Sequence, residues 1–260
     1  MIGDLLLHGK EGDIPVLCKI KLTSEGKITL PFGYQYYIQS MLYKWINEKS
    51  YAEFLHNTGY RIGSRSYKLF SFSNILEKPL HINSVKKEFI FSKEINFYVC
   101  SINNEFFQHI FNSIINQSVV AIGNNTAMIS NVSIISQIFE EREVVKTMSP
   151  ITVYSTLFGL DGKKKTYYYT PKEKEFGELI RKNLIKKYQA LYGQWPQNDN
   201  FFITPINTTE KIVKYKNFII KGHMGNFEIS GSKELMDLAF STGLGSKNSQ
   251  GFGMILKEVK

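Results

Sequence analysis

SKELMDLAFSTGLGSKNSQGFGMILKEV, residues 232–259, is the stretch on which the fold turns. Ser232 is placed to cap a helix with Glu234 in its first turn, and Gly243 stops it. MILKEV then reads as a strand. Between them Gly243, Gly245, Gly251 and Gly253 take four of eleven positions. Glycine sacrifices backbone entropy, so this density implies a turn that other residues cannot adopt, or the close approach of another backbone. A helix, an unusual loop and a last strand close a larger pattern, which emerges from the residues before them.

Immediately upstream, KIVKYKNFIIKGHMGNFEISG (211–231) reads as a hairpin around GHMGN. PKEKEFGELIRKNLIKKYQALYG (171–193) is a long helix with Phe176, Leu179, Ile180, Leu184, Tyr188 and Leu191 on one face. VKTMSPITVYS (145–155) and KTYYYT (165–170) are strands. The first half has the same order. DIPVLCKIKLTS (13–24) alternates as a strand that GKITLP (26–31) closes, and YQYYIQSMLYKWINE (34–48) is a helix. YKLFSFSNIL (67–76) is a strand, and KEFIFS (87–92) and INFYVCSI (95–102) form a strand pair. NNEFFQHIFNSIINQ (103–117) carries the stripe Phe106, Phe107, Ile110, Phe111, Ile114 and Ile115, and AMISNVSIISQIFE (127–140) closes the half. Strand–helix–strand–strand–helix–strand, twice, predicts an α+β protein of two tandem ferredoxin-like (RRM-like) domains with antiparallel sheets, residues 1–142 and 143–260. The halves share no sequence repeat, so the duplication rests on element order alone.

The chain has 260 residues, a net charge of +9 and a pI of about 9.3, which favours a polyanionic partner. MIGDLLLHGKEGDIP carries no secretory leader and no long uncharged apolar run occurs, so a soluble cytoplasmic protein without membrane contact is expected. Cys18 and Cys100 form no CxxC, and no His/Cys or Asp/Glu/His spacing suggests a metal, so neither metal nor cofactor is expected. Fifteen Tyr and nineteen Phe accompany the charge, interleaved with lysine in DGKKKTYYYTPKEKEF (161–176). Lysines pair with phosphates and rings stack on unpaired bases, so Lys163, Lys164 and Lys165, with Lys182, Lys186 and Lys187 on the next helix, are candidate contacts to single-stranded RNA. A solvated turn, LDGKK, followed by an ordinary strand explains the same residues.

Three segments and the glycine loop together resemble a known family. GLGSKNSQGFGMI fits the loop pattern G-h-G-x5-G-h-G of the repeat-associated RNA-binding proteins at Gly243, Leu244, Gly245, Gly251, Phe252 and Gly253. YQYYIQSMLYKWI, FLHNTGY…YKLFSFS and SPITVYS resemble one branch, the CRISPR-associated endoribonucleases that cut precursor CRISPR RNA within its repeats. The resemblance implies two ferredoxin-like domains and metal-independent cleavage, in which the ribose 2′-hydroxyl attacks the adjacent phosphate and leaves a 2′,3′-cyclic phosphate and a 5′-hydroxyl. Members with a Tyr/His/Lys set would place it here at Tyr43, His56 and Lys68. The insert NTGYRIGSRSY separates His56 from Lys68, so Arg61 or Arg65 is an alternative source of positive charge. CRISPR repeat RNA is the implied partner, and effector-complex subunits and a homodimer are compatible with it. A non-catalytic RNA-binding subunit on the same scaffold is the alternative function.

The chemistry has its own logic. Attack by a 2′-hydroxyl needs a base, an acid for the leaving oxygen and positive charge on the phosphorane, and histidine titrates near neutral pH. Of five histidines, His8 lies near the terminus, His109 falls opposite an apolar stripe and should be exposed, and His81 and His223 lie at strand edges. His56 ends the helical segment SYAEFLHN before a basic loop, where it is either catalytic or an ordinary helix-end residue. Tyr43 points about 160° from the apolar centre of its helix and is available to a cleft. In the glycine loop, peptide N–H groups with Lys247, Asn248, Ser249 and Gln250 can hold an anion. The loop lacks the GK[ST] ending of a nucleotide-binding P-loop. Tight packing and close RNA approach both account for its glycines.

Overall fold

The computed structural model describes residues 16–158 and 162–258. His8 and the start of the LDGKK turn lie outside them. The first half runs through β1 (Val16–Thr23), β2 (Thr29–Pro31), α1 (Gln35–Lys44) and α2 (Lys49–Glu53). β3 (Tyr60–Ile62), β4 (Arg65–Tyr67), β5 (Phe70–Phe72), β6 (His81–Asn83), β7 (Glu88–Ile90) and β8 (Glu94–Ser101) follow. α3 (Asn104–Asn116), β9 (Val119–Ile122) and β10 (Asn125–Ile135) complete it. The second half comprises β11 (Arg142–Thr147), β12 (Tyr154–Phe158), β13 (Lys164–Tyr168), α4 (Lys174–Tyr192), β14 (Phe201–Tyr215), β15 (Phe218–Gly231), α5 (Lys233–Thr242) and β16 (Ile255–Lys257).

Two antiparallel sheets organise these elements. The first has the order β5-β8-β1-β10-β9 and the second β14-β15-β11-β16. Counting only the strands of the βαββαβ pattern, each sheet runs second, third, first, fourth, which is the ferredoxin-like order. The fold is therefore α+β, with two tandem ferredoxin-like units. Alternation drives β1: Cys18, Ile20 and Leu22 are buried against Ile38, Met41 and Leu42 of α1 and Phe106, Phe107 and Ile110 of α3. Asn103 caps α3 by accepting from the Glu105 N–H at 2.8 Å. The α3 stripe stops short of expectation, because Ile115 is 76% exposed beyond the sheet. In the second half Phe176, Ile180 and Leu184 of α4 pack with Leu235, Met236 and Ala239 of α5 over Val145, Phe227 and Ile229. Ser232 caps α5 through the Leu235 N–H.

Several local expectations are corrected. GKITLP does not close β1, because β2 pairs with β7; KEFIFS and INFYVCSI belong to different sheets. The long hairpin turns at Lys216–Asn217 instead of GHMGN, with Lys216 at φ 53°. The GHMGN glycines serve packing inside β15, where a Cβ on Gly222 would lie 2.9 Å from the Ile151 carbonyl oxygen. VKTMSPITVYS divides into β11 and β12 around Pro150, and YKLFSFSNIL is broken at Lys68 and Leu69, where Leu69 adopts φ 53°, so Tyr67 ends β4 and Phe70–Phe72 form β5. No helix among the described residues is long and apolar enough to cross a membrane.

The glycine loop joins the two units. Ser71 Oγ on β5 donates to the Phe252 carbonyl at 3.0 Å, and Gln39 Nε2 on α1 donates to the Ser249 carbonyl at 2.7 Å. The Tyr215 hydroxyl at the hairpin tip also bonds Gln39 Oε1.

Candidate active site

The loop between α5 and β16 is built inward. Gly243, Gly245, Gly251 and Gly253 all have positive φ, from 69° to 85°, and all are buried. At Gly245 a Cβ would stand 2.5 Å from the Thr152 carbonyl oxygen, and at Gly251 it would stand 2.6 Å from the Phe72 ring. The glycines therefore answer to loop conformation and to packing between the units, while residues 246–250 form the half-exposed surface. Asn248 Nδ2 braces the loop from within, donating at 3.0 Å to the carbonyls of both Leu244 and Phe252. Lys247, in the left-handed region at φ 63°, turns its ammonium to 5.3 Å from the Tyr154 ring centroid.

A lysine supports the loop from below. Lys187 of α4 is only 2% exposed, and its ammonium donates to Thr242 O at 3.3 Å, Thr242 Oγ1 at 3.0 Å and Gly243 O at 2.6 Å. Burial pulls its pKa down to about 7, with Cys100 opposing the shift. The expectation that Lys187 meets phosphate is thus corrected, since its donors are spent on the loop.

Beside the loop, three separate elements bring Tyr43, His56 and Lys68 to one cleft of about 650 Å³. Tyr43 stands on α1. His56 stands on a π-helical turn, Phe54–Thr58, that continues α2 and ends at Gly59 in the left-handed region. Lys68 precedes β5 and is followed by the strained Leu69. The Tyr43 and His56 rings meet edge to face at 5.6 Å, and Phe70 also packs edge to face on Tyr43, at 5.9 Å. Lys68 Nζ donates to the His56 carbonyl at 3.0 Å, and Asn57 Oδ1 lies 2.8 Å from His56 Nδ1. Lys247, Ser249 and Gln250 form the loop side of the cleft.

Residues 130–256 match the family model for CRISPR associated protein Cas6, C-terminal, and residues 29–133 match that for CRISPR-associated protein Cas6, N-terminal. The chain belongs to the CRISPR-associated Cas6 family. It is similar to CRISPR-associated endoribonuclease Cas6 1 of Methanocaldococcus jannaschii, 29% identical over 241 residues covering 92% of this chain and 91% of the relative. CRISPR-associated endoribonuclease Cas6 of Pyrococcus furiosus is 27% identical over 252 residues, covering 92% and 89%. A solved Cas6-related structure from Pyrococcus furiosus aligns with a TM-score of 0.82 at 25% identity, covering 94% of this chain and 98% of the other.

In this Cas6 family member, burial raises the Tyr43 phenol well above its ordinary range, and Tyr215 adds to the effect. Burial lowers Lys68, and the nearby Arg61 lowers it further. The β3–β4 insert therefore adds charge beside Lys68 through Arg61, while Arg65 faces a neighbouring cleft. Sequence reasoning missed the hairpin tip that completes the wall: Phe218 is 70% exposed in the cleft, and Lys216 Nζ lies 4.5 Å over the Tyr36 ring. Its signal was the two-residue Lys-Asn turn between Tyr215 and Phe218.

Other expected residues stay apart. Lys163, Lys164 and Lys165 lie exposed on or beside β13, and on α4 Lys182 is exposed and Lys186 half-buried; none lines either cleft. His109 is half-buried instead of exposed, with its ring stacked on Tyr51 at 4.9 Å. His223 is buried and edge-on to Phe176 at 6.3 Å. Packing also assembles a group that chain spacing hides: ligand atoms of Glu48, Glu105 and His109 lie within 4.8 Å of one another, although none of the three lines the His56 cleft.

Proposed function

We propose that this Cas6 family member is a cytoplasmic, metal-independent endoribonuclease that binds CRISPR repeat RNA and cuts it by 2′-hydroxyl attack. What supports the reading is the convergence of Tyr43, His56 and Lys68 on one cleft beside the glycine loop, together with similarity to relatives named CRISPR-associated endoribonuclease. In this reading residues 1–142 supply the catalytic groups and residues 143–260 supply the loop and the hairpin tip.

The roles follow from the environment of each group. Burial keeps Tyr43 protonated at neutral pH, so it cannot serve as the base and acts as the donor. His56, exposed in the middle of its turn, accepts the proton of the 2′-hydroxyl. The 2′-oxygen bonds to phosphorus while the bond to the 5′-oxygen breaks, and the leaving oxygen takes its proton from Tyr43. Exchange with solvent restores both groups. Lys68, assisted by Arg61 and Lys247, meets the charge that develops on the phosphorane oxygens.

The test is cleavage of repeat RNA in excess chelator, with a parallel substrate carrying one 2′-deoxy nucleotide at the cut. Cutting that persists in chelator and stops on the deoxy substrate supports the proposal. Strict dependence on added Mg²⁺, or continued cutting of the deoxy substrate, refutes it, and binding without any cutting favours the non-catalytic subunit.

A further inference from the structure

A second cleft, of about 790 Å³, opens on the far side of Lys68. Lys68, Lys247, Ser249 and Gln250 line both clefts, so they form a shared wall. The second cleft lies between the glycine loop, the β3–β4 insert and the β12–β13 hairpin. Its lining contains four basic residues, Arg65, Lys68, Lys187 and Lys247, and no carboxylate. Ser66, Ser155, Thr156 and Ser246 line it as well.

Such a lining is selective for one chemistry. Cations converging on a concave surface without acids raise the local concentration of an anion, and hydroxyls suit phosphate and ribose oxygens. The site is also built, because its floor is fixed. Lys187 is buried and its three contacts to Thr242 and Gly243 hold the start of the loop that carries Ser246 and Lys247. Lys187 therefore shapes the cleft, while Arg65 and Lys247 are left to face a ligand. The Lys247 ammonium lies 5.3 Å from the Tyr154 ring centroid, and both residues line the cleft.

We infer that this second cleft seats the sugar–phosphate backbone of the RNA next to the cut, with phosphates at Arg65 and Lys247. The inference rests on the endoribonuclease reading for the position of the cut, since the shared wall makes the two clefts consecutive along one strand. The contact is to backbone and so carries no base preference.

The test uses the full chain and binding alone, so it stands whether or not the protein cuts. Fluorescence anisotropy over a salt series is measured with repeat RNA carrying a 2′-deoxy nucleotide at the cut, and with an oligouridylate of equal length. Arg65→Ala and Lys247→Ala should each weaken binding several-fold on both RNAs and shrink the log–log salt slope by about 0.7, the value for one phosphate on a single strand. Arg65→Lys and Lys247→Arg keep the charge and should keep the slope. Photocrosslinking with 4-thiouridine at successive positions should link one nucleotide to the His56 turn and a neighbouring one to the β12–β13 hairpin. Unchanged slopes, a loss confined to the repeat RNA, loss in the charge-conserving variants, or no crosslink to the hairpin would each overturn the inference. These binding results together with a failure to cut unmodified repeat RNA would instead refute the endoribonuclease reading and leave the backbone contact standing.

Discussion

Lys187→Met is the perturbation whose consequence can be worked most fully. Burial lowers the Lys187 ammonium from the ordinary lysine value of 10.5 to about 7 in the folded chain. Between those two pH values the unfolded chain holds a proton that the folded chain has released. The unfolded state then binds more protons, so unfolding free energy rises with pH through this group. Below about pH 7 the burial penalty on the charged form is present in full, and it fades as pH climbs toward 10.5. From pH 7 to pH 9 the gain is about 2 kcal/mol, from roughly 1.4 kcal/mol per pH unit once the group is past its midpoint. The buried cysteines oppose this only higher up, since Cys18 and Cys100 are pushed up to about 12 from an ordinary 9.0 and act above that lower value. Both proteins share those groups, so the difference between parent and variant isolates Lys187. The assay is urea unfolding followed by circular dichroism at pH 7, 8 and 9. The parent should gain about 2 kcal/mol relative to Lys187→Met across that range. Parallel curves, or a relative loss by the parent, would refute the reasoning that burial beneath the loop favours the neutral amine of this lysine.

Three further outcomes follow from the site. Gly245→Val places a Cβ 2.5 Å from the Thr152 carbonyl at φ 69°, so it should lower stability by about 1–3 kcal/mol, and the melting temperature checks it. Tyr43→Phe keeps the ring that packs on Phe70 but removes the donor, so single-turnover cleavage should fall by roughly 10² or more while the melting temperature holds. Replacing Lys163, Lys164 and Lys165 together should leave the cleavage rate at saturating RNA unchanged, because none of them lines a cleft, and lower only the salt sensitivity of binding.

Much of the architecture was legible because periodicity reports burial. The stripes on α1, α3 and α4 and the alternation on β1 gave the βαββαβ order twice. Turn chemistry misled where glycine served something else. GHMGN attracts a turn assignment, yet its glycines admit close backbone neighbours within β15, and Lys216 accepts the left-handed turn position instead. Lys187 shows residue type overriding position. It lies seven residues after Ile180, on the buried face of α4, but its charge suggested a phosphate contact and kept it out of the apolar stripe. At the site, Tyr43 and His56 were each accessible to argument from helix geometry. Their edge-to-face meeting, the Lys68 contact to the His56 carbonyl and the hairpin tip depend on tertiary packing that no local pattern encodes.

The catalytic assignment meets its most direct test in His56→Ala. Single-turnover cleavage of repeat RNA and affinity for the same RNA are measured together, in chelator, for parent and variant. The side chain is exposed on its turn, so its removal should leave the fold and the RNA surface intact. Cleavage should fall by roughly 10²–10⁴ while affinity stays within a few-fold. A variant that cuts at the parent rate would contradict the account, and proton transfer would have to come from a group other than His56.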